Sequence, residues 1–211
     1  MLRAVRALDE SQLVAVGVVV APAERCAEVQ DLLEAAALTP RWTTVPGGET
    51  RAESVARGLR TLPADVDIVL VHDAARAFVP AAAVRRVVDA IAAGADAVVP
   101  VVPVADTVKQ VDASGVVVDT VDRSRLRQVQ TPQGFRRPVL DAAYAAQAAR
   151  GNDLSGASGS ERAVTDDAGV VEALGVPVVV VEGDPLAFKV TGPLDLLLAE
   201  ALVGPYRGGG S

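Results

Sequence analysis

The chain has 211 residues, half of them apolar but only 3% aromatic, and a formal net charge of -7. That length suits one domain with a real core, no apolar run is long enough to span a membrane, and no basic stripe could neutralise a nucleic-acid backbone. The single Cys26 rules out an internal disulfide, so the expectation is a cytoplasmic protein with neither a membrane nor a nucleic-acid partner. A nucleotide substrate stays open, because a few local Lys and Arg residues suffice to hold one.

Residues 1–8 set Leu2, Val5 and Leu8 at helical spacing, with no capping residue ahead of them. Leu13 to Val20 reads as a buried strand. Pro22 then opens a helix whose face is Cys26, Val29, Leu32, Leu33 and Ala36, with Cys26 as a small core residue. Trp42 to Val45 is a short strand, broken by Pro46-Gly47-Gly48, and a helix runs from about Glu49 to Leu62. A Gly-rich turn before a helix can bring backbone N–H groups close to a ligand, although ordinary strand-to-helix turns share the pattern.

Ile68-Val69-Leu70-Val71 runs directly into His72-Asp73-Ala74-Ala75-Arg76. A short β-branched run of this kind reads as a strand buried on both faces in a parallel sheet, and ligands bind beyond the carboxyl ends of such strands. Val84, Val87, Val88 and Ile91 mark a helix ended by Gly94, and Ala97 to Val104 is a strand interrupted by prolines. Residues 107–111 and 116–121 alternate around Asp112-Ala113-Ser114-Gly115, which predicts a protruding hairpin arm. Pro138 to Arg150 is an Ala-rich helix, Gly151 to Ser160 a mobile loop, and Thr165 the N-cap of a short helix ending at Gly175. Pro177 to Val181 is a further buried strand, and Ala187 to Thr191 an extended segment. Pro193 starts a last helix with Leu194, Leu197, Leu198, Ala201 and Leu202 on one face. Strands alternating with helices predict a three-layer α/β/α sandwich with one hairpin arm.

Six stretches stand in order: 47–55 (GGETRAESV), 71–76 (VHDAAR), 103–109 (PVADTVK), 131–133 (TPQ), 165–168 (TDDA) and 189–191 (KVT). Together they closely resemble the 2-C-methyl-D-erythritol 4-phosphate cytidylyltransferases, from residue 1 to about residue 204. The resemblance implies a Rossmann-like nucleotide-diphospho-sugar transferase fold of the glycosyltransferase-A type. The single domain would cover 1–204, with the arm at about 106–131 and a flexible tail at 205–211. It implies attack of a methylerythritol phosphate oxygen on the α-phosphorus of CTP, with Mg²⁺ as the cation. Such chemistry depends on positioning and charge neutralisation.

By similarity, Gly48 and Ser54 would read the cytosine, and Asp73 would serve the ribose and the metal-phosphate region, a carboxylate being a natural hard ligand. Thr107, Arg123, Thr131, Thr165 and Lys189 would hold the sugar phosphate and the reacting phosphates. Asp73, Lys189 and Arg123 are the candidate catalytic residues. In the family the arm reaches across a homodimer, so Arg123 and Thr131 would serve the partner's site. Arg125 and Arg127 read as solvated charge. His72, the one histidine, reads as a packed or backbone-bonded residue, since the attacking phosphate is already an anion.

The sequence departs from the family pattern at Ala77, where proline is usual, and at Ala187, where asparagine is common. A larger departure is that no strand and Gly-rich loop carrying Arg and Lys, roughly 30 residues as a strand-loop-helix unit, precedes Leu13. The expectation is a start placed too late or a chain trimmed ahead of residue 1, leaving unpaired backbone in mid-sheet and weakened catalysis. A ribitol phosphate cytidylyltransferase and a catalytically inactive dimeric remnant are the alternative readings.

Overall fold

The computed structural model describes residues 1–151 and 166–204. The expected Gly151–Ser160 loop, beyond its first residue, and the expected 205–211 tail lie outside them, as does Thr165. Helix α1 (Leu2–Asp9) buries Ala4, Val5 and Leu8. Strand β1 (Val16–Ala21) pairs in parallel with β2 (Arg41–Pro46), and α2 (Cys26–Ala35) connects them. Val29 and Leu33 are the buried residues of α2. Leu32, expected on that face, is exposed, because α2 packs a narrower stripe than the sequence suggests. Helix α3 (Arg51–Thr61) starts where the Thr50 hydroxyl accepts from the Glu53 N–H, a side-chain cap that fixes its first turn.

Among the described residues the principal sheet holds five strands. Strand β3 (Ile68–Val71) leads through α4 (Ala81–Ala92) to β4 (Ala97–Pro103). The arm, β5 (Val108–Val111) and β6 (Val117–Val121), forms an antiparallel hairpin as the alternation predicts. The chain returns through β7 (Arg127–Val129) and β8 (Gln133–Arg136) into α5 (Arg137–Gly151). After the undescribed stretch come α6 (Asp167–Glu172), β9 (Val178–Glu182) and α7 (Pro193–Val203). The order is β3-β8-β4-β7, with β9 on the other edge of β4.

This sheet is mixed, not parallel. Strand β8 runs antiparallel to both β3 and β4. Strand β4 is also continuous through its prolines. Pro100 lies where β4 changes partner from β8 to β7, and its carbonyl accepts from the Gln130 N–H, so the missing proline N–H is tolerated. Helix α4 covers one face with Val87 and Ile91 against Val98. On the other face Leu59, Phe135, Leu140 and Val171 join α3, α5 and α6 to the sheet. The result is the expected α/β/α layering.

Strands β1 and β3 do not pair. Their facing edges border a cavity of about 880 Å³, walled by α1, by residues 16–20 and 68–71, and by Gly58 and Leu59 of α3. Trp42 lies directly over Gly17, where a Cβ would stand 2.1 Å from the indole ring. Two other expectations change. Strand β9, expected to be buried, has exposed Val179 and Val180, because β4 is its one partner among the described residues. The leucine face of α7 is open to solvent, with Leu194 79% exposed, and Ala199 is its buried residue.

Candidate active site

The polar end of the cavity gathers Arg51, Ser54, His72, Asp73 and Lys189. Asp73 follows β3 directly, as the abrupt change in the sequence predicts. Its backbone N–H donates to the Thr131 hydroxyl at 3.0 Å, and that oxygen lies 2.9 Å from His72 Nδ1. His72 Nε2 lies 3.0 Å from the Arg76 carbonyl oxygen. A neutral ring with its proton on Nε2 satisfies all these contacts, with Thr131 donating to Nδ1. Burial pushes the His72 pKa down to about 4, against a backbone hydrogen bond that raises it. A histidine with both nitrogens engaged supports the Asp73 turn and is not placed as a base.

Three cations surround the Asp73 carboxylate. Lys189 Nζ is 3.1 Å from Oδ2, Arg76 Nε is 3.7 Å from Oδ2, and Arg51 is 3.7 Å from Oδ1. Burial pushes the carboxyl up, but Lys189, then Arg51 and Arg76, more than offset this and hold it below the usual carboxylate range. Lys189 is brought here by its neighbours. The Val190 N–H donates to the Ala75 carbonyl at 2.9 Å, and the Phe188 and Phe78 rings stack 5.9 Å apart. Arg76 donates to the Ala187 and Val129 carbonyls, tying the segment before Lys189 to the root of the arm. Burial lowers the pKa of Arg76.

Gly48 and Ser54 meet as a unit. The Gly48 N–H donates to Ser54 Oγ at 3.0 Å, and Ser54 Oγ donates to the Thr50 carbonyl. A Cβ at Gly48 would stand 2.3 Å from the Glu53 side chain, so glycine is required by close approach.

The other expected residues are placed differently. Thr131 is 4% exposed, and its hydroxyl supports the Asp73 loop of its own chain. Arg123 sits in an exposed turn of 3-10 helix and donates to the Ala105 carbonyl; it makes no contact with the Asp73 cluster of its own chain. Thr107 is exposed between β4 and β5. The cap of α6 is Asp166, whose carboxylate accepts from the Gly169 N–H, and not Thr165.

Arg51, Arg76, Gln133, Tyr144 and Asp167 join the site and its supports without having been among the candidate residues. Arg51, Arg76, Gln133 and Asp167 all lie inside the motif stretches, which was the available signal; Tyr144 carried none. Gln133 is 1% exposed, donates to Asp166 and accepts from the Ala168 N–H, which locks the start of α6 to β8. Among the described residues no group of three or more His, Cys, Asp or Glu side chains could cage a metal. A single carboxylate still fits Mg²⁺, which keeps waters and shares substrate phosphates more often than it takes an all-protein cage.

Across residues 1–205 the sequence matches the family described as 2-C-methyl-D-erythritol 4-phosphate cytidylyltransferase (IspD). It is 51% identical over 215 residues to the protein of that name from Streptomyces avermitilis, covering 98% of this chain and 81% of the relative. The Streptomyces coelicolor counterpart is also 51% identical, over 98% of this chain and 75% of the relative. The fold matches the crystal structure of 4-diphosphocytidyl-2C-methyl-D-erythritol synthase from Anaerococcus prevotii with a TM-score of 0.82. That match has 26% identity and covers 95% of this chain and 87% of the other. The chain therefore belongs to the 2-C-methyl-D-erythritol 4-phosphate cytidylyltransferase family.

Proposed function

We propose that this chain transfers a cytidylyl group from CTP to 2-C-methyl-D-erythritol 4-phosphate in isoprenoid precursor synthesis. The observation that carries the site assignment is Asp73, ringed by Lys189, Arg51 and Arg76 at the polar end of the cavity. A phosphate oxygen of the sugar attacks the α-phosphorus of CTP, the bond to the β-phosphate oxygen breaks, and pyrophosphate leaves. No proton need be removed from the attacking dianion, which agrees with the fully engaged His72 ring. The demand is for cations around the transferring group and for fixed geometry. Lys189 is half-exposed and can turn from Asp73 toward a phosphate, and Gly48 and Ser54 offer a backbone and hydroxyl edge for the base.

Asp73 would hold Mg²⁺ together with the CTP phosphates, and that cation, when bound, neutralises phosphate charge. By the family resemblance Thr107, Thr165 and Arg123 would hold the sugar phosphate, with Arg123 serving a second copy through the arm of a cytoplasmic homodimer. The exposed Val116, Val117 and Val118 of the arm suit such a contact. The cavity between β1 and β3 opens at its polar end onto Asp73 and Lys189. No helix among the described residues is long and apolar enough to cross a membrane.

The test is side-by-side turnover of methylerythritol phosphate and ribitol phosphate with CTP and Mg²⁺. Cytidine diphosphate methylerythritol and pyrophosphate should form in equal amounts, with methylerythritol phosphate preferred. Preference for ribitol phosphate would replace the substrate assignment. A folded dimer with no CTP affinity would leave only a scaffold role.

A further inference from the structure

Arg51 and Asp167 are 116 residues apart in sequence, yet an Arg51 Nη donates to Asp167 Oδ2 at 2.5 Å. Asp167 is 0% exposed, and its other oxygen accepts from the Tyr144 hydroxyl at 2.5 Å. Burial is the first cause that pushes the Tyr144 phenol far up, with Asp167 adding to it, so the hydroxyl keeps its proton and stays a donor. Gln133 clamps the neighbouring Asp166 and Ala168, so the carboxylate is fixed from several sides. A buried carboxylate–guanidinium pair is weak as a stabilising device, because the desolvation cost offsets most of the attraction. Its geometry suits a different task.

The Arg51 side chain is 43% exposed and lines the same cavity as Asp73 and Lys189. Arg carries five N–H donors in a fixed fork, and the bond to Asp167 occupies one of them. Arg51 stands beside Oδ1 of Asp73 while Lys189 stands beside Oδ2, so two cations flank one carboxylate from opposite sides. An anionic group entering the cavity beside Asp73 meets both. Burial alone would lower the Arg51 pKa, but Asp167 and Asp73 together raise it, so the charge is permanent.

We propose that Arg51 is a further phosphate-gripping residue of this site, and that Asp167, seated by Tyr144, is the positioning residue that aims it. This rests on the cytidylyl-transfer reading for the identity of the phosphate, which belongs either to CTP or to the sugar phosphate. The guanidinium would offer two parallel N–H bonds to phosphate oxygens while its remaining edge stays anchored. Tyr144 orders the anchor and does not touch the ligand.

The experiment is calorimetric titration of the full chain with CTP and, separately, with methylerythritol phosphate, with the melting temperature of each variant recorded. Arg51→Met should weaken one of the two ligands by about tenfold or more, as expected for loss of a charged hydrogen-bonded pair. Asp167→Asn should weaken the same ligand and spare the other, and Arg51→Lys should retain part of the affinity. A loss confined to CTP assigns Arg51 to the triphosphate, and a loss confined to methylerythritol phosphate assigns it to the sugar phosphate. Unchanged binding in Arg51→Met overturns the proposal, as does Asp167→Asn binding like wild type. Equal losses for both ligands that follow a fall in melting temperature overturn it too, as does a wild-type chain that binds neither. Should Asp167→Asn not fold, the contrast of Arg51→Lys with Arg51→Met carries the test. Turnover by the wild-type chain is a separate measurement, so ligand binding without turnover would count against the reaction and leave the Arg51 assignment intact.

Discussion

The five-stranded sheet and the β1–β2 pair are made from similar Val-rich sequence, yet they are finished very differently. Strand β4 has partners on both edges, and Ala97 and Val98 are 0% exposed. Among the described residues strand β1 has one partner, and its other edge looks across the cavity at β3. The candidate site lies on this seam. Asp73 extends from β3 on one side, while Gly48 of the β2–α3 connection and Arg51 and Ser54 of the first turns of α3 stand on the other. A ligand touching both sets would join the two halves, which explains why polar chemistry collects at the least closed part of the molecule.

The sharpest way to break this comparison is to remove matched side chains from each half. Val98→Ala, in the closed sheet, should cost about 2–3 kcal/mol in chemical unfolding, while Val19→Ala in β1 should cost about 1 kcal/mol. Equal losses would show that the β1–β2 unit is packed as firmly as the rest.

Acid acts on the seam next. The unfolded chain takes up the His72 proton near pH 6.5, whereas the folded chain takes it up only near 4, so unfolding binds the extra proton between those values. Stability from this group is therefore present above pH 6.5 and falls as the pH drops toward 4, by at most about 3 kcal/mol. His72→Gln should flatten the pH dependence of urea unfolding in that window; an unchanged slope would remove His72 from the account.

Amide hydrogen exchange sharpens the contrast without mutation. Amides of β4 should exchange close to the global limit, and cavity-facing amides of β1 faster by about tenfold or more. The smallest expected effect is on the arm, where Val117 is 53% exposed: Val117→Thr should shift monomer stability by no more than about 0.5 kcal/mol. A larger loss would mean that the arm is already covered in solution.

Much of this was legible in the sequence, for identifiable reasons. The change from 68–71 to His72-Asp73 marks β3 and the site because buried strands tolerate no charge until they end. The arm is legible because alternation around Asp112 to Gly115 is local chemistry. Strand β8 is not, since four residues including Gly134 carry no periodicity, and its burial comes from α4 on one face, from α5 and α6 on the other, and from its two neighbouring strands. Nor is the Arg51–Asp167–Tyr144 chain, whose members meet only after three helices pack. The α7 leucines mislead because a pattern identifies which residues share a face, not whether anything covers it. The loop contacts of Thr131 were not legible, because a hydroxyl beside a motif can as well hold a loop as hold a substrate.

The most direct test of the Asp73–Lys189 centre is turnover of CTP and methylerythritol phosphate by Asp73→Ala and Lys189→Ala, each checked for an unchanged melting temperature. The account predicts product formation by the wild-type chain and a loss of about two orders of magnitude or more in both variants. Near-normal turnover in both would place the chemistry elsewhere in the molecule.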